Sequence, residues 1–422
     1  MAAGDERRAP STQDLVGGPD LRGCAHHLVE DRQRDRGEWV TEADLPNGVR
    51  VHVVTAPLEV ARPLLADPRL SKDSAKLTAV QQRQLVARDL PPDVNGMFAR
   101  TVLNSDGLDH QRLRGLVAGE FTARRVRALR PRIEQVAAEL VAGLPVGEPV
   151  DLVTRLATPL PLTVVNEMLG VPARDAARLS EWTDALLAGR PELNLPATRR
   201  LRGYLAELID HKRDHPDDGL LSALVAVSLD GDRLSPDELV GTALLLIVAG
   251  HETTANVIGN AIALLLAHRD EPGGWRWLAA HPDHVDQVVE EVSRVDPGVR
   301  NAPHRFAEVD LDVGGSTIPA GAIVLVNLGS AGRDPAVHGD DARSFAPGRE
   351  TRAQHVAFGH GPHYCIGARL ARLEVGTVLR EVTSRYPGSY AVGDRTDVLD
   401  RFPRRQSPIM NPYRAVEAVL VA

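Results

Sequence analysis

A mainly α-helical fold with a smaller β region is what the sequence predicts, and three observations predict it. Apolar residues recur at helical spacing across residues 106–127, 131–230 and 235–267. Strand-like runs are confined to residues 39–54 and to the segment DLDVGGSTIPAGAIVLVNL. The 422 residues are 43% hydrophobic and 25% charged, which is ample for a large core and ordinary for a globular enzyme.

In chain order, residues 39–54, WVTEADLPNGVRVHVV, predict a short hairpin, because Pro46-Asn47-Gly48 is strong turn chemistry between β-prone runs. The next piece, APLEVARPLLADPRL, has helical spacing at Val60, Leu64 and Leu65 and stops at Pro68. Residues 71–103 have no clean period and hold Pro91-Pro92 and Asn95-Gly96, so they are expected to be a functional loop. A helix with several cations on one face follows over 106–127. Residues 131–230 read as amphipathic helices broken at Pro145, Pro149, Pro159, Pro161, Pro172, Pro191, Pro196 and Pro216.

Ser235 starts a long helix. It is an N-cap serine, Pro236 takes the first helical position, and Glu238 can close a capping box. A run to about Ala267 spans roughly 50 Å at ~1.5 Å per residue. Its continuous apolar part is about a dozen residues, which suits a buried helix and not a membrane span. The segment HPDHVDQVVEEVSRVDP forms another helix, on which Glu291 and Arg294 stand three apart and can pair. Gly314-Gly315 marks a turn between strands.

Composition excludes several roles. A net charge of −8 and a pI near 6.0 give no global attraction to nucleic acid. Cys24 and Cys365 lie far apart, so a disulfide framework is not expected and a reducing cytoplasm is the natural setting. The start, MAAGDERRAPSTQD, is polar and has neither a signal-peptide core nor an anchor. Residues 1–20 are expected to be a disordered lead and 21–422 a single domain, with the protein a monomer.

The chemistry concentrates in residues 358–374, FGHGPHYCIGARLARLE. Cys365 ends a loop containing Gly359, Gly361 and Pro362, and Gly367 opens a helix carried by Leu370, Leu373, Val375 and Val378. Unpaired N–H groups and partial positive charge at a helix start favour a thiolate there. Glycines let the main chain fold closely around that sulfur. One anionic sulfur without a Cys or His partner at zinc-like spacing suits a single axial bond to a planar iron cofactor, and haem is the predicted ligand.

This stretch resembles the haem-binding loop of the cytochrome P450 family, the haem-thiolate monooxygenases, in its soluble bacterial, actinobacterial natural-product form. Phe358 stands at the start of the pattern, Cys365 at the iron ligand, and Gly367 behind it. The resemblance implies the cytochrome P450 fold, with haem b (iron protoporphyrin IX) between a long kinked distal helix and a Cys-bearing proximal loop and helix. Phe358, Gly359 and Gly367 would then shape the cofactor loop, and His363, His110, Arg114 and Arg305 fall at propionate-binding positions. The family usually has two prolines where this chain has Gly107-Leu108, so the entry to that helix is expected to be built differently.

The polar break in the long helix, AGHETT, gains meaning from the same resemblance. Gly250 and paired threonines favour a local kink, and burying Glu252 costs several kcal/mol unless something uses or pairs it. The resemblance implies that Ala249 and Gly250 leave room for dioxygen, that Thr253 hydrogen-bonds it or a water, and that Glu252 relays protons. It also makes Glu291 and Arg294 a structural ion pair, completed by Arg343 with Arg349 as the alternative. The segment around 185–200 resembles the family's mobile lid. Arg300, Asn301, Leu246 and Val299 would line the substrate pocket, with Arg300 contacting either an acidic or carbonyl group of the substrate or a structural salt-bridge or propionate partner. Here the chain has Gly298-Val299 where the family has proline then valine.

The implied activity inserts one oxygen atom from O2 into a C–H bond or alkene of a small-molecule natural-product intermediate, such as a polyketide or peptide. No flavin, dinucleotide or iron–sulfur fingerprint occurs in the chain, so electrons are expected from a separate ferredoxin and its reductase. Arg112, Arg124, Arg369 and Arg372 would present positive charge to an acidic ferredoxin on the cysteine side. Two further readings stay open: oxidative coupling, cyclisation or peroxygenation by the same cofactor, and a haem-binding protein without turnover.

Overall fold

The helix Pro236–Ala267 is the axis on which the other elements are arranged. Its start is fixed as the sequence dictates, with the Ser235 hydroxyl accepting from the Glu238 N–H (3.2 Å) and the Ser235 N–H donating to Glu238 Oε2 (2.8 Å). Most of its residues are buried, as expected for a helix enclosed on all sides. Leu244 and Ile247 belong to one apolar core with Leu169, Leu205 and Leu370, whereas Ile262 and Leu265 belong to a second with Val288, Val378 and Leu379. Each such side chain contributes about 1.5–3 kcal/mol on burial, so the helix ties two cores together.

The computed structural model describes Leu15 and residues 25–45, 49–77, 79–80, 101–187, 191–229, 234–393, 398–405 and 407–422. The Pro46-Asn47-Gly48 turn, Cys24 and residues 81–100 of the expected functional loop lie outside these, as does the lead 1–20 apart from the buried Leu15. Around the expected lid, the helices Ala176–Leu187 and Pro191–Asp214 are described and 188–190 are not.

The hairpin is present as Val40–Asp44 paired antiparallel with Arg50–Val54, Val40 opposite Val54. Arg50–Val54 continues parallel to Ile323–Val326, which pairs antiparallel with Arg305–Ala307, and Leu70–Ser71 closes the five-stranded sheet. Leu311–Val313 and Ser316–Ile318 form a separate two-stranded ribbon turned by Gly314 (φ 61°) and Gly315 (φ 82°). A β-carbon on Gly314 would stand 2.1 Å from the Trp39 ring, so that turn admits no side chain.

The expected helix over 106–127 is two helices. Gly107–Ala118 ends in a 3-10 turn at Gly119–Phe121, and Thr122 caps the next helix, Ala123–Ala142, by accepting from the Arg125 N–H at 3.4 Å. Phe121 is buried at the corner and Thr122 is extended, which stops one helix and starts another.

Buried charge fastens the first helix, Ala25–Asp35, to the sheet region. Glu30 accepts from Arg300 Nε (2.7 Å), Arg333 Nη2 (2.5 Å) and Asn327 Nδ2 (2.9 Å). Asp31 pairs with Arg333 at 3.2 Å, Arg34 at 3.1 Å and Arg343 at 2.7 Å. Among the described residues no helix is long and apolar enough to cross a membrane.

Candidate active site

The Cys365 loop is shaped by backbone conformations that only glycine adopts freely. Gly359 (φ 76°) and Gly361 (φ 72°) are left-handed, and a β-carbon on Gly361 would stand 2.6 Å from that of Ala66. The Cys365 N–H donates to the Phe358 carbonyl at 2.8 Å, which closes the loop just before the helix Ala368–Arg385, whose N-cap is Gly367. Cys365 is exposed. Protein nonetheless packs closely around its sulfur.

Burial pushes the Cys365 thiol above its ordinary pKa, against the Gly367 N–H, Arg114 and Arg372, which pull it down. The pull of the Gly367 N–H and the two arginines thus works against burial, and a cation bound to the sulfur would add to that pull. Two residues unremarked in the sequence brace this loop. Glu290 accepts from Arg372 Nε (2.5 Å) and lies 3.2 Å from His355 Nε2, while the Arg372 guanidinium sits 4.2 Å from the centre of the Phe358 ring.

Beside the loop, the structure gathers the expected cations and adds others. The His363 and His110 rings lie 4.1 Å apart, and His363 Nε2 is 3.5 Å from Asp106 Oδ1. Arg114 Nη2 donates to the Tyr364 carbonyl at 2.8 Å, and Arg305 Nη2 to the Leu65 carbonyl at 3.0 Å. Lys72, buried and 3.5 Å from the Pro303 carbonyl, and His304 join them without having been anticipated. Burial lowers Arg305 to about 10 and His363 to about 4, and it brings Lys72 well below its usual range.

Asp106 is the one carboxylate recorded facing this group among the described residues. Its own bonds go to Ser71 Oγ (2.6 Å) and to the backbone N–H groups of Lys72 (2.6 Å) and Asp73 (3.0 Å). Gly107, at φ 56°, starts the helix in place of the family's prolines. His110 Nε2, His304 Nε2 and Arg305 Nε are buried without a protein partner. A cluster short of negative charge, with donors left over, is what a ligand carrying carboxylates would complete.

On the long helix, the Thr253 hydroxyl donates to the Ala249 carbonyl at 2.6 Å, and the helix is continuous through AGHETT. Ala249 is exposed although Leu246, Ile247, His251 and Glu252 around it are buried. Gly250 also lets the helix pack closely. A β-carbon there would meet Val165 Cγ2 at 3.3 Å, so the glycine serves packing against the helix Pro159–Leu169. Glu252 is ion-paired with Arg405.

A family model described as cytochrome P450 matches residues 283–410. Cytochrome P450 107B1 of Saccharopolyspora erythraea is 38% identical over 389 residues, covering 91% of this chain and 95% of that protein. The chain belongs to the cytochrome P450 family. The monooxygenase PikC of Streptomyces venezuelae is 43% identical, covering 81% of this chain and 79% of its own. The tirandamycin C-bound structure of the P450 monooxygenase TamI is similar with a TM-score of 0.84 at 35% identity, covering 94% of this chain and 97% of that one. This P450 is accordingly a monooxygenase with the fold expected, and membership implies haem, dioxygen, a small-molecule substrate and redox partners. The exposed Cys365 sulfur and the anion-poor cluster beside it fit haem.

Two expectations need correction. Glu291 and Arg294, both fully buried, form the predicted pair in a two-pronged contact of 2.7 and 2.8 Å, and Arg294 also donates to the carbonyls of Gly332, Ala342 and Ser344. Its third member is Arg349, 3.5 Å from Glu291, and not Arg343, which is turned to Asp31 and Asp35. Arg349→Leu is therefore expected to lower the yield of haem-loaded protein several-fold, and Arg343→Leu much less, read as the ratio of haem to protein absorbance.

Arg300 is the second correction. It is buried in the Glu30 pair, and so is no pocket contact; the structural alternative holds. Asn301 is likewise structural, donating to the Leu15 (3.2 Å) and Pro408 (2.7 Å) carbonyls and accepting from Asn327 (2.8 Å). Gly298 explains the missing proline, since any β-carbon there would lie 2.7 Å from the Thr253 carbonyl. The segment thus packs directly on the distal helix. Val299 is partly buried and bridges to Met410, and Leu246 is buried.

Proposed function

We propose that this P450 holds haem b on Cys365, with His110, His363, Arg114 and Arg305 receiving the propionates, and oxidises a natural-product intermediate such as a polyketide or peptide. The observation that carries the cofactor reading is the set of buried, unpartnered donor atoms of His110, His304 and Arg305, which face only Asp106 among the carboxylates of the described residues, beside the exposed cysteine. The substrate class is supported by relatives named 6-deoxyerythronolide B hydroxylase, mycinamicin IV hydroxylase/epoxidase and nocardicin C N-oxygenase, at 37–38% identity. When bound, haem supplies the redox iron at which dioxygen is reduced, with the sulfur donating charge to favour O–O cleavage.

The chain's own residues do the rest. Ala249 and Gly250 would leave room for dioxygen, the Thr253 hydroxyl, held by the Ala249 carbonyl, would hydrogen-bond dioxygen or a water, and Glu252 would relay protons. Leu246 and Val299 wall the pocket and exclude water. Electrons come from a ferredoxin and its reductase, docking over the groove of about 420 Å³ lined by Arg127, Arg130, Arg369 and Arg372, with exposed Arg124 near its edge in sequence. Arg112 takes a lesser part, because Glu238 holds it at 2.6 Å. The protein acts as a cytoplasmic monomer, where the cysteine ligand stays reduced.

The test is a spectrum followed by a titration. Reduced, haem-loaded protein with carbon monoxide is expected to show the red-shifted Soret band of thiolate ligation. Macrolactone and cyclic-peptide intermediates are then screened for a saturable spin-state shift, and for an oxygenated product in the presence of ferredoxin, reductase and NADPH. Shifts and products only with fatty acids or steroids would overturn the substrate class and leave the cofactor reading intact.

A further inference from the structure

Leu15 is the one residue of the stretch 1–24 among the described residues, and it is fully buried. Around it the sequence, ERRAPSTQDLVGGPD, offers no large apolar side chain except Val16. Leu15 belongs to an apolar core with Val53 and Leu325, and Ile409 packs against that core. Its carbonyl accepts from Asn301 Nδ2 at 3.2 Å, so the side chain and the main chain of this one residue both engage the sheet region.

Asn301 is the point at which four separated segments meet. In a fully buried position its amide nitrogen donates to the Leu15 and Pro408 carbonyls, and its amide oxygen accepts from Asn327. A primary amide carries two N–H donors, so both are used. From Asn301 the segment leads back to the distal helix. The Arg300 and Asn301 N–H groups donate to the Ile409 carbonyl at 2.8 and 3.1 Å, and Val299 bridges to Met410. The Gly298 carbonyl accepts from the Asn411 N–H at 3.0 Å, and Gly298 lies so close to the Thr253 carbonyl that no β-carbon fits between them. Residues 298–301 are therefore gripped at one end by the distal helix and at the other by Leu15.

We propose that Leu15 is a positioning residue for substrate: from behind, it seats the 298–301 segment and so sets how far Val299 reaches into the pocket. The inference rests on the reading of Val299 as a pocket wall. Withdrawing Leu15 leaves a buried N–H of Asn301 without its acceptor, and the amide regains a partner only by moving. Packed interiors pass such a movement on to their neighbours. Substrate held for reaction at a single carbon is sensitive to wall shifts of this kind, whereas a ligand that touches only the iron is not. Leu15 acts through Asn301 and touches neither substrate nor cofactor.

The experiment uses the full-length, haem-loaded protein, imidazole as a small ligand of the iron, and a substrate found by the spin-state titration. In Leu15→Ala the thiolate carbon monoxide band and the imidazole affinity are expected to be unchanged, while the substrate Kd and KM rise several-fold and kcat changes less. Leu15→Met, which refills the space, restores the affinity. Asn301→Ala weakens substrate binding in the same way, and adding Leu15→Ala to it has little further effect, because the link is already cut; a loss confined to core packing would add in full. Independently of substrate, exchange of the Arg300 and Asn301 amide hydrogens with solvent should quicken several-fold in Leu15→Ala, with the distal helix unaffected. Unchanged substrate affinity and exchange in Leu15→Ala, or full additivity in the double variant, overturns the proposal. Should Leu15→Ala fail to load haem, Leu15→Val decides on the same readouts. Wild-type protein without the thiolate band would instead sink the cofactor reading and leave the exchange result standing.

Discussion

Replacing Cys365 with serine is expected to abolish the red-shifted carbon monoxide band and to lower turnover by well over the roughly 100-fold that losses around a metal ligand typically cause. The serine hydroxyl is nearly isosteric but far less acidic than a thiol, so it brings no anionic sulfur to the iron. In the native loop burial already opposes ionisation of the thiol, and the Gly367 N–H, Arg114 and Arg372 offset that only in part. A hydroxyl in the same place starts much further from its ionised form. Protein folding should be little affected, because the loop is held by the Cys365 N–H to Phe358 carbonyl bond and by the Arg372–Glu290 pair, neither of which uses the sulfur. Some haem is expected to remain, held by the cationic cluster at its edge. An unchanged band in Cys365→Ser would place the ligand elsewhere and remove the basis of the site.

What could be read from the sequence was what neighbours in the chain decide. The capping box at Ser235, the glycine loop around Cys365 and the Glu291–Arg294 pair each depend on residues within one or two turns of one another, so their spacing carries the geometry. The anion-poor cluster was only half legible. Lys72, Asp106, His304 and Arg305 come from three separated segments that the sheet and the Gly107 turn bring together. The choice between Arg343 and Arg349 failed for a related reason. The pairing is set by a turn that lets Arg349 grip both Asp341 (2.7 Å) and Glu291, while the first helix takes Arg343 through Asp31, a partner more than 300 residues distant. Arg300 was assigned to the pocket because its segment resembles the family's pocket-lining stretch, whereas its actual partner, Glu30, stands 270 residues earlier on the first helix, beyond the reach of local spacing. A buried acidic pair, Glu30-Asp31, in an otherwise polar first helix was the signal that buried arginines needed partners there.

That acidic pair carries the second large effect. Glu30→Ala is expected to destabilise the protein by about 3–5 kcal/mol, because it leaves buried guanidinium groups without their carboxylate. Arg300 loses its 2.7 Å partner, and Arg333 keeps Asp31 but loses its shortest contact. Glu30→Gln, which preserves the shape and the Asn327 contact, should fall between, and Arg50→Ala on the exposed Arg50–Asp44 pair should leave the denaturant midpoint unchanged. The pH dependence fixes the cause. Burial by itself would raise the Glu30 pKa, but Arg300 and Arg333 outweigh it and bring it down to about 2. A carboxylate whose folded pKa lies below its unfolded value, about 4.3, stabilises fully above that value and loses the contribution as pH falls towards the folded one. The gap in denaturant midpoint between wild type and Glu30→Ala should therefore be constant near neutrality and narrow from about pH 4.5 down towards pH 2. A gap that widened on acidification, or that was already absent at neutral pH, would mean that the first helix is not fastened by charge.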